Sequence, residues 1–90
     1  MRKGFYMQVY GRVQGVGFRY SAMQKARQLG ITGYVHNKVN GSVYIEAEGE
    51  DEELLSFLSW CKKGPSGARV EDVQWGELPV SNYKNFSVRG

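Results

Sequence analysis

Residues 11–19, with the sequence GRVQGVGFR, carry the side chains and spacing best suited to chemistry. Gly15 and Gly17 can adopt backbone angles that other residues avoid, so consecutive N–H groups can point into one concavity and bind an anion. A helix-like run follows directly, and its first-turn N–H groups and positive dipole end would point to the same place. Arg19 adds a planar guanidinium that fits the oxygens of phosphate or carboxylate. The stretch predicts an anion site; the alternative is a tight turn whose glycines only relieve steric clashes and whose arginine is solvated.

A second candidate, Asn37, lies near the end of a strand-like run. Its side-chain amide has both a donor and an acceptor, so it can hold a ligand or a water molecule. On its own, an asparagine here would be interpreted as a hydrogen-bonding residue at a strand end. The neighbouring His36 falls on the opposite face of the strand, which predicts a solvated histidine rather than a general base. Cys61 falls on the apolar stripe of a helix, which predicts a buried, inert thiol.

The hydrophobic pattern predicts the elements that must position these residues. Strands are predicted at residues 5–13, 31–38, 42–48, 69–75 and 86–89, and helices at residues 18–29 and 50–62. Gly30 is expected to end the first helix as a left-handed cap. The loop between the second and third strands is expected to be the three residues Val39-Asn40-Gly41, with Gly41 in a left-handed bulge. A two-residue turn would place the apolar residues of the two strands on opposite faces.

The β-α-β-β-α-β order predicts an α+β, ferredoxin-like sandwich, with two helices on one face of an antiparallel sheet. Right-handed crossovers place the first and second strands parallel, with the third strand between them. The glycine loop and the hairpin between the second and third strands therefore lie at the same end of the sheet. This topology brings Asn37 to the glycine loop and Arg19, which favours a site over a simple turn.

Composition restricts the class of protein. The length of 90 residues predicts that residues 1–90 form a single domain. Contents of 41% hydrophobic and 23% charged residues are near the averages of globular proteins, which argues against disorder. The net charge of +3 comes without a block of positive residues, so a long nucleic-acid footprint is not indicated. The single cysteine excludes an internal disulfide and a cysteine zinc site, and no other cluster has metal-ligand spacing. With neither a signal-peptide core nor a membrane-spanning run, we expect a cytoplasmic monomer with no cofactor, metal, nucleic-acid partner or membrane partner.

The sequence resembles the acylphosphatase family, small ferredoxin-like enzymes that hydrolyse acyl phosphates to a carboxylate and inorganic phosphate. The resemblance is carried by GRVQGVGFR at residues 11–19, GYVHN at 33–37, NGSV at 40–43, EG at 48–49 and GPSGARV at 64–70. It implies that Arg19 and Asn37 are the catalytic residues. It also implies that the phosphate is cradled by the backbone of Gly15, Val16, Gly17, Phe18 and Arg19.

Two positions depart from the usual pattern of that family. Asn40 stands where aspartate is common before the hairpin glycine, and Tyr34 stands where tryptophan is frequent. Neither departure replaces a catalytic group, so both bear on substrate preference rather than on the reaction.

The chemistry of acyl phosphate hydrolysis fits these few residues. Phosphoryl transfer depends on positioning and on stabilising charge at the equatorial oxygens, which backbone N–H groups and Arg19 would supply. A carboxylate is a good leaving group, so no general acid is required. The hypothesis is therefore that Arg19 and the loop amides hold the phosphate while Asn37 holds the attacking water.

An RNA-binding module without catalysis is the alternative function. Residues 3–6, KGFY, together with Tyr10 partly imitate an RNA-recognition strand in a fold of the same element order. The motif lies on the first strand rather than the third, and Met7 and Gln8 interrupt it. This alternative also leaves the glycine loop unexplained.

Overall fold

A computed structural model describes residues 1–90 as two helices and five strands. The elements are β1 (Arg2–Arg12), α1 (Phe18–Gln28), β2 (Thr32–Asn37), β3 (Val43–Glu50), α2 (Asp51–Lys63), β4 (Arg69–Leu78) and β5 (Phe86–Arg89). Every predicted element is present. β1 starts earlier and β4 ends later than predicted because these ends pair with each other, Gly4 lying opposite Leu78. Their glycine and charged residues carry no alternating pattern that would reveal the pairing.

The strand order in the sheet is β4-β1-β3-β2-β5. β3 pairs antiparallel with both β1 and β2, so β1 and β2 run parallel on either side of it, as predicted. The α+β fold class with its two helices on one face is confirmed, but the sheet is not wholly antiparallel. β5 pairs parallel with β2, because residues 79–85 cross from one edge to the other without running back along the sheet.

One face of the sheet and one side of each helix form a single hydrophobic core. Strand residues at alternating positions supply one layer, and residues at helical spacing on α1 and α2 supply the other. The cluster comprises Phe5, Met7, Val9, Val13, Phe18, Ala22, Ala26, Ile31, Val35, Val43, Ile45, Ala47, Leu54, Phe57, Leu58, Cys61 and Phe86. Neither helix combines the length and hydropathy needed to cross a membrane.

The turn between β2 and β3 has the predicted three-residue loop. The Lys38 N–H donates to the Ser42 carbonyl at 2.8 Å and closes the loop, and the Gly41 N–H donates to the Lys38 carbonyl at 3.1 Å. Gly41 has a φ of +91°, the left-handed region expected for the bulge. The loop length keeps Val35 and Val43 on the same apolar face, so the register of the hairpin is the one that parity predicts.

The end of α1 is also as predicted. Gly30 has a φ of +71° and its N–H donates to the Arg27 carbonyl, while the Ile31 N–H donates to the Ala26 carbonyl at 2.8 Å. These two bonds are the Schellman arrangement that satisfies the last carbonyls of a helix. The buried Ile31 then leads directly into β2 and fixes where Asn37 falls at its far end.

Candidate active site

The glycine loop between β1 and α1 has the backbone form of an anion cradle. Gly15 has a φ of +75° and Gly17 a φ of +77°, both in the left-handed region. A Cβ atom at either position would meet no atom within 4 Å, so backbone conformation rather than space accounts for the two glycines. Gly17 is the N-cap of α1, so the second left-handed residue turns the chain directly into the helix.

The N–H groups of this loop are free to bind. In residues 15–20 no backbone N–H donates a turn, loop or cap hydrogen bond, and α1 has no side-chain cap. The first turn of α1 also lacks an acidic residue, whereas the first turn of α2 carries Asp51, Glu52 and Glu53. The positive end of the α1 dipole is thus left without a compensating carboxylate, at the place where the loop amides are unpaired.

Gln14 ties the glycine loop to the β2–β3 turn. Its Nε2 donates to the Lys38 carbonyl at 2.7 Å and to the Ser42 carbonyl at 2.9 Å. These two carbonyls lie at opposite ends of the three-residue turn, one residue beyond Asn37 and one before Val43. The convergence predicted from topology is therefore realised by a direct side-chain contact between the two loops.

Asn37 is the last residue of β2 and lies two residues beyond Val35, which is fully buried. Its Oδ1 is buried and has no hydrogen-bond partner. A buried acceptor without a partner costs free energy in the folded protein, so its presence calls for an explanation outside simple strand-end bonding. A ligand or water bound at this site would supply the missing donor.

Arg19 reaches toward the same end of the sheet from the first turn of α1. Its Nη1 donates to the Arg89 carbonyl at 3.0 Å and to the Gly90 carbonyl at 3.4 Å, while Nε and Nη2 have no partner in the chain. Arg89 pairs with His36 in the parallel β2–β5 ladder, so Gly90 follows Arg89 just as Asn37 follows His36. Adjacent strands lie about 4.8 Å apart, which puts the guanidinium contact at the strand end that also carries Asn37.

The other two cradle residues anchor the loop rather than face solvent. Phe18 is 1% exposed, and Val16 is partly buried and packs against the core. A Cβ at Gly67 would lie 3.6 Å from Val16, and one at Gly64 would lie 3.1 Å from the Phe18 ring. Residues 64–67 therefore approach the glycine loop closely enough that only glycine fits easily at position 64. The packing of Val16 and Phe18 into the core fixes the loop backbone, while the loop N–H groups remain accessible.

Comparison with known proteins identifies this arrangement. The acylphosphatase family model matches residues 5–88. The chain belongs to the acylphosphatase family. An acylphosphatase of Archaeoglobus fulgidus is 50% identical over 80 residues, covering 89% of this chain and 90% of the relative. One of Caldanaerobacter subterraneus is 43% identical over 90 residues, covering 98% of this chain and 99% of the relative.

A solved structure gives the same result for the fold. The acylphosphatase of Coxiella burnetii superposes with a TM-score of 0.95 at 39% identity, covering 98% of this chain and 93% of that one. The resemblance predicted from the motifs is thereby confirmed, as is the enzyme class: acylphosphatases are hydrolases that act on acid anhydrides.

His36 lies on the face of the sheet opposite the core, as parity predicted. It is partly rather than fully exposed, because its ring packs between those of Tyr34 and Tyr44, each with its centroid 5.7 Å away. Strand period identifies the face of a residue but not whether neighbouring side chains cover that face.

Replacing His36 with glutamine is expected to leave kcat nearly unchanged. The side chain is directed to the outer face of the sheet and cannot reach a substrate in the cradle. Steady-state hydrolysis of an acyl phosphate checks this. A fall of about a hundredfold or more, within the usual range for removing a general base, would reassign the mechanism.

Cys61 is fully buried on α2, as predicted. Burial in apolar surroundings raises the pKa of its thiol, so the reactive thiolate is disfavoured. The cysteine packs in the core and takes no part in the acylphosphatase site.

Three residues that support the site were not predicted to do so, although Gln14 and Glu48 lie in stretches that carry the family resemblance. Gln14 bonds to backbone carbonyls, and Arg89 stacks on an aromatic ring. Long-range contacts of this kind leave no periodic pattern in the sequence. Glu48 is 2% exposed and accepts backbone N–H groups from Ser81 and Tyr83, thereby fixing residues 79–85 against the sheet. The sequence pattern did not distinguish Glu48, because it alternates with Glu46 and Glu50 along β3, although a buried charge is rare unless it is hydrogen-bonded.

Proposed function

We propose that this chain hydrolyses acyl phosphates, with the phosphate bound by Arg19 and the loop amides of Gly15, Val16, Gly17, Phe18 and Arg19, and with the water held by Asn37. The observation that carries the proposal is one convergence at the end of the sheet. Unpaired loop amides, two unused guanidinium nitrogens and a buried acceptor without a partner all lie there. The first two groups suit a phosphate and the third suits the hydrogen of a water molecule.

The reaction follows from these roles. Water held by the Asn37 amide attacks phosphorus in line with the acyl oxygen, and the bond between phosphorus and that oxygen breaks. The carboxylate leaves with the electron pair, and the proton of the water passes to a phosphate oxygen. Arg19 and the loop N–H groups stabilise negative charge on the equatorial oxygens throughout, so catalysis consists of positioning and electrostatics.

The proposal includes the remaining sequence-based expectations. Residues 1–90 act as one domain and one monomer in the cytoplasm. The substrate is a small acyl phosphate, the product is inorganic phosphate, and no nucleic acid, membrane or cofactor takes part.

The RNA-binding alternative finds no support. The guanidinium of Arg89 covers the Tyr34 ring at 3.9 Å from its centroid, and the hydroxyls of Tyr44 and Tyr83 donate to Glu46. A nucleotide base could stack on Tyr34 only by displacing Arg89, and it would then lie beside the negative charge of Glu46. RNA-binding sheets instead present uncovered rings and positive charge.

Hydrolysis of benzoyl phosphate by the purified chain tests the proposal. We expect turnover, with inorganic phosphate as a competitive inhibitor, because the cradle recognises the tetrahedral anion itself. Backbone amide shifts on phosphate titration should centre on residues 15–19. Phosphate that inhibits without shifting these amides would place the site elsewhere.

Activity is expected to survive chelators. The positive charge comes from Arg19 and backbone amides, and the chain brings together no group of three or more His, Cys, Asp or Glu side chains that could hold a metal ion. Hydrolysis measured with and without EDTA checks this. A complete loss that added Mg²⁺ restores would contradict the proposed site.

A further inference from the structure

The orientation of Arg19 depends on the end of β5. The carbonyl groups that accept from its Nη1 belong to Arg89, the last residue of the short edge strand β5, and to Gly90, which follows it. β5 pairs with β2 alone, and its last paired residue is Arg89 opposite His36. The end of a short edge strand frays easily unless something else holds it. The position of the Arg19 guanidinium therefore depends on how firmly the backbone of Arg89 is held.

The side chain of Arg89 makes a contact that holds the end of β5 in place. Its guanidinium lies over the ring of Tyr34, with the Cζ atom 3.9 Å from the ring centroid. This contact is on the outer face of the sheet, because Tyr34 alternates with the core residue Val35 along β2. Arg89 thus joins the two faces: its side chain is held on the outer face while its carbonyl accepts from Arg19.

Tyr34 is itself fixed by a cluster of rings. Tyr83 meets it edge-on with centroids 5.8 Å apart, and Tyr44 lies 6.2 Å away. The hydroxyls of Tyr83 and Tyr44 both donate to the carboxylate of Glu46 at 2.8 Å. Burial and the charge of Glu46 raise the pKa of Tyr34, while the nearby charge of Arg89 lowers it. The Tyr34 ring, which lies under Arg89, is therefore held in place by the neighbouring aromatic rings.

We propose that Tyr34, through its stacking contact with Arg89, is a positioning residue for Arg19. Aromatic faces attract guanidinium groups through the ring quadrupole, and the planar group stacks on the ring while its N–H groups stay solvated. Tyr34 touches no substrate; it acts by fixing the strand end whose carbonyls orient the catalytic arginine. This inference rests on the proposed function, in which Arg19 binds the phosphate.

The test compares single variants by their inhibition constant for inorganic phosphate and by kcat/KM for benzoyl phosphate. Tyr34→Leu removes the ring and should weaken phosphate binding and kcat/KM by about three- to tenfold, the scale of one partly exposed cation–π contact. Tyr34→Trp keeps a ring and should bind phosphate as well as the parent chain. Arg89→Ala retains the carbonyl but loses the stack, so it should match Tyr34→Leu. This residue is exposed, so its replacement leaves the core intact.

Tyr6→Leu is the matched control. Tyr6 lies on the same outer face but on β1, where its ring packs over Gly76 and is separated from β5 by β3 and β2. It should lose stability without losing phosphate affinity. The double variant Tyr34→Leu/Arg89→Ala should be no weaker than either single variant, because both remove the same contact.

The outcomes separate this inference from the proposed function. If Arg19→Lys leaves phosphate affinity unchanged, the cradle itself is wrong and the inference fails with it. If Arg19→Lys loses affinity but Tyr34→Leu and Arg89→Ala do not, only the positioning role is overturned. Equal losses in Tyr34→Leu and Tyr6→Leu would also overturn it, since they would mean a general loss of stability.

Discussion

Replacing Arg19 with lysine is expected to weaken phosphate binding and nearly abolish turnover. The arginine uses Nη1 on the Arg89 and Gly90 carbonyls and retains Nε and Nη2 for two phosphate oxygens. A lysine offers one compact charge and cannot hold the strand end and two oxygens together. We expect phosphate affinity to fall by about 10- to 100-fold. We expect kcat/KM to fall by roughly 10³-fold, the scale of arginines that stabilise phosphoryl transfer.

Arg27→Lys provides the matched control. Arg27 lies on the same helix, and its Nη2 donates to the Phe86 carbonyl of β5 at 3.1 Å, so it braces the same strand in the same way. It is two turns farther from the glycine loop and makes no contact at the site. Both variants should show a lower urea midpoint, but only Arg19→Lys should lose activity. Equal losses of activity would mean that Arg19 only braces β5 and that another group binds the phosphate.

The fold was predictable because its signals are local. Alternation along the strands and helical spacing in α1 and α2 fix which face of each element is buried. Gly30 and Gly41 then mark where α1 ends and where the hairpin turns. The direction of β5 was not predictable in this way. It depends on how residues 79–85 cross the sheet, and that path is set by hydrogen bonds from Ser81 and Tyr83 to Glu48 on a distant strand.

The location of the site was predictable for a different reason. Right-handed crossovers leave one arrangement in which β1 and β2 flank β3, so the glycine loop and Asn37 must share an end of the sheet. The contacts that complete the site were not predictable. Gln14 bonds to the carbonyls of the β2–β3 turn, and Arg19 bonds to the end of β5. Each of these bonds joins a side chain to a distant part of the backbone, and such bonds leave no periodic pattern in the sequence.

The outer face of the sheet shows the limit of strand parity. Alternation correctly assigned His36 to that face, where Tyr34 also lies, but did not indicate how far neighbouring rings cover the two side chains. They are half-buried because Tyr44 comes from the next strand and Tyr83 from the crossing segment. Which rings meet there depends on strand order and register, which are tertiary properties.

Replacing Asn37 with alanine is expected to separate turnover from binding. In the proposed function Arg19 holds the phosphate in both ground and transition states, whereas Asn37 acts only on the water. Phosphate affinity should therefore stay within a fewfold while kcat falls by roughly 10²-fold or more, the scale of losing nucleophile positioning. Steady-state hydrolysis and a phosphate titration on the variant measure both quantities, and circular dichroism checks the fold.

Asn40→Ala is the matched control on the same hairpin. The Asn40 Oδ1 accepts from the Ser42 N–H at 3.0 Å and from the Ser42 hydroxyl at 2.6 Å, so this asparagine is satisfied within the turn. Its replacement should lower the free energy of unfolding by about 1–2 kcal/mol, since two local hydrogen bonds are lost, and leave kcat close to that of the parent chain.

The stability of Asn37→Ala gives the decisive contrast between the two asparagines. Because the Asn37 Oδ1 is buried without a partner, removing it relieves a desolvation cost and breaks no bond within the chain. The free energy of unfolding should therefore be unchanged or higher, while kcat falls. A variant that loses stability and keeps its kcat would make Asn37 a hairpin residue, and one that loses phosphate binding together with turnover would assign it to the cradle. Only the combination of retained stability, retained phosphate affinity and lost turnover fits a side chain whose single role is to hold the attacking water.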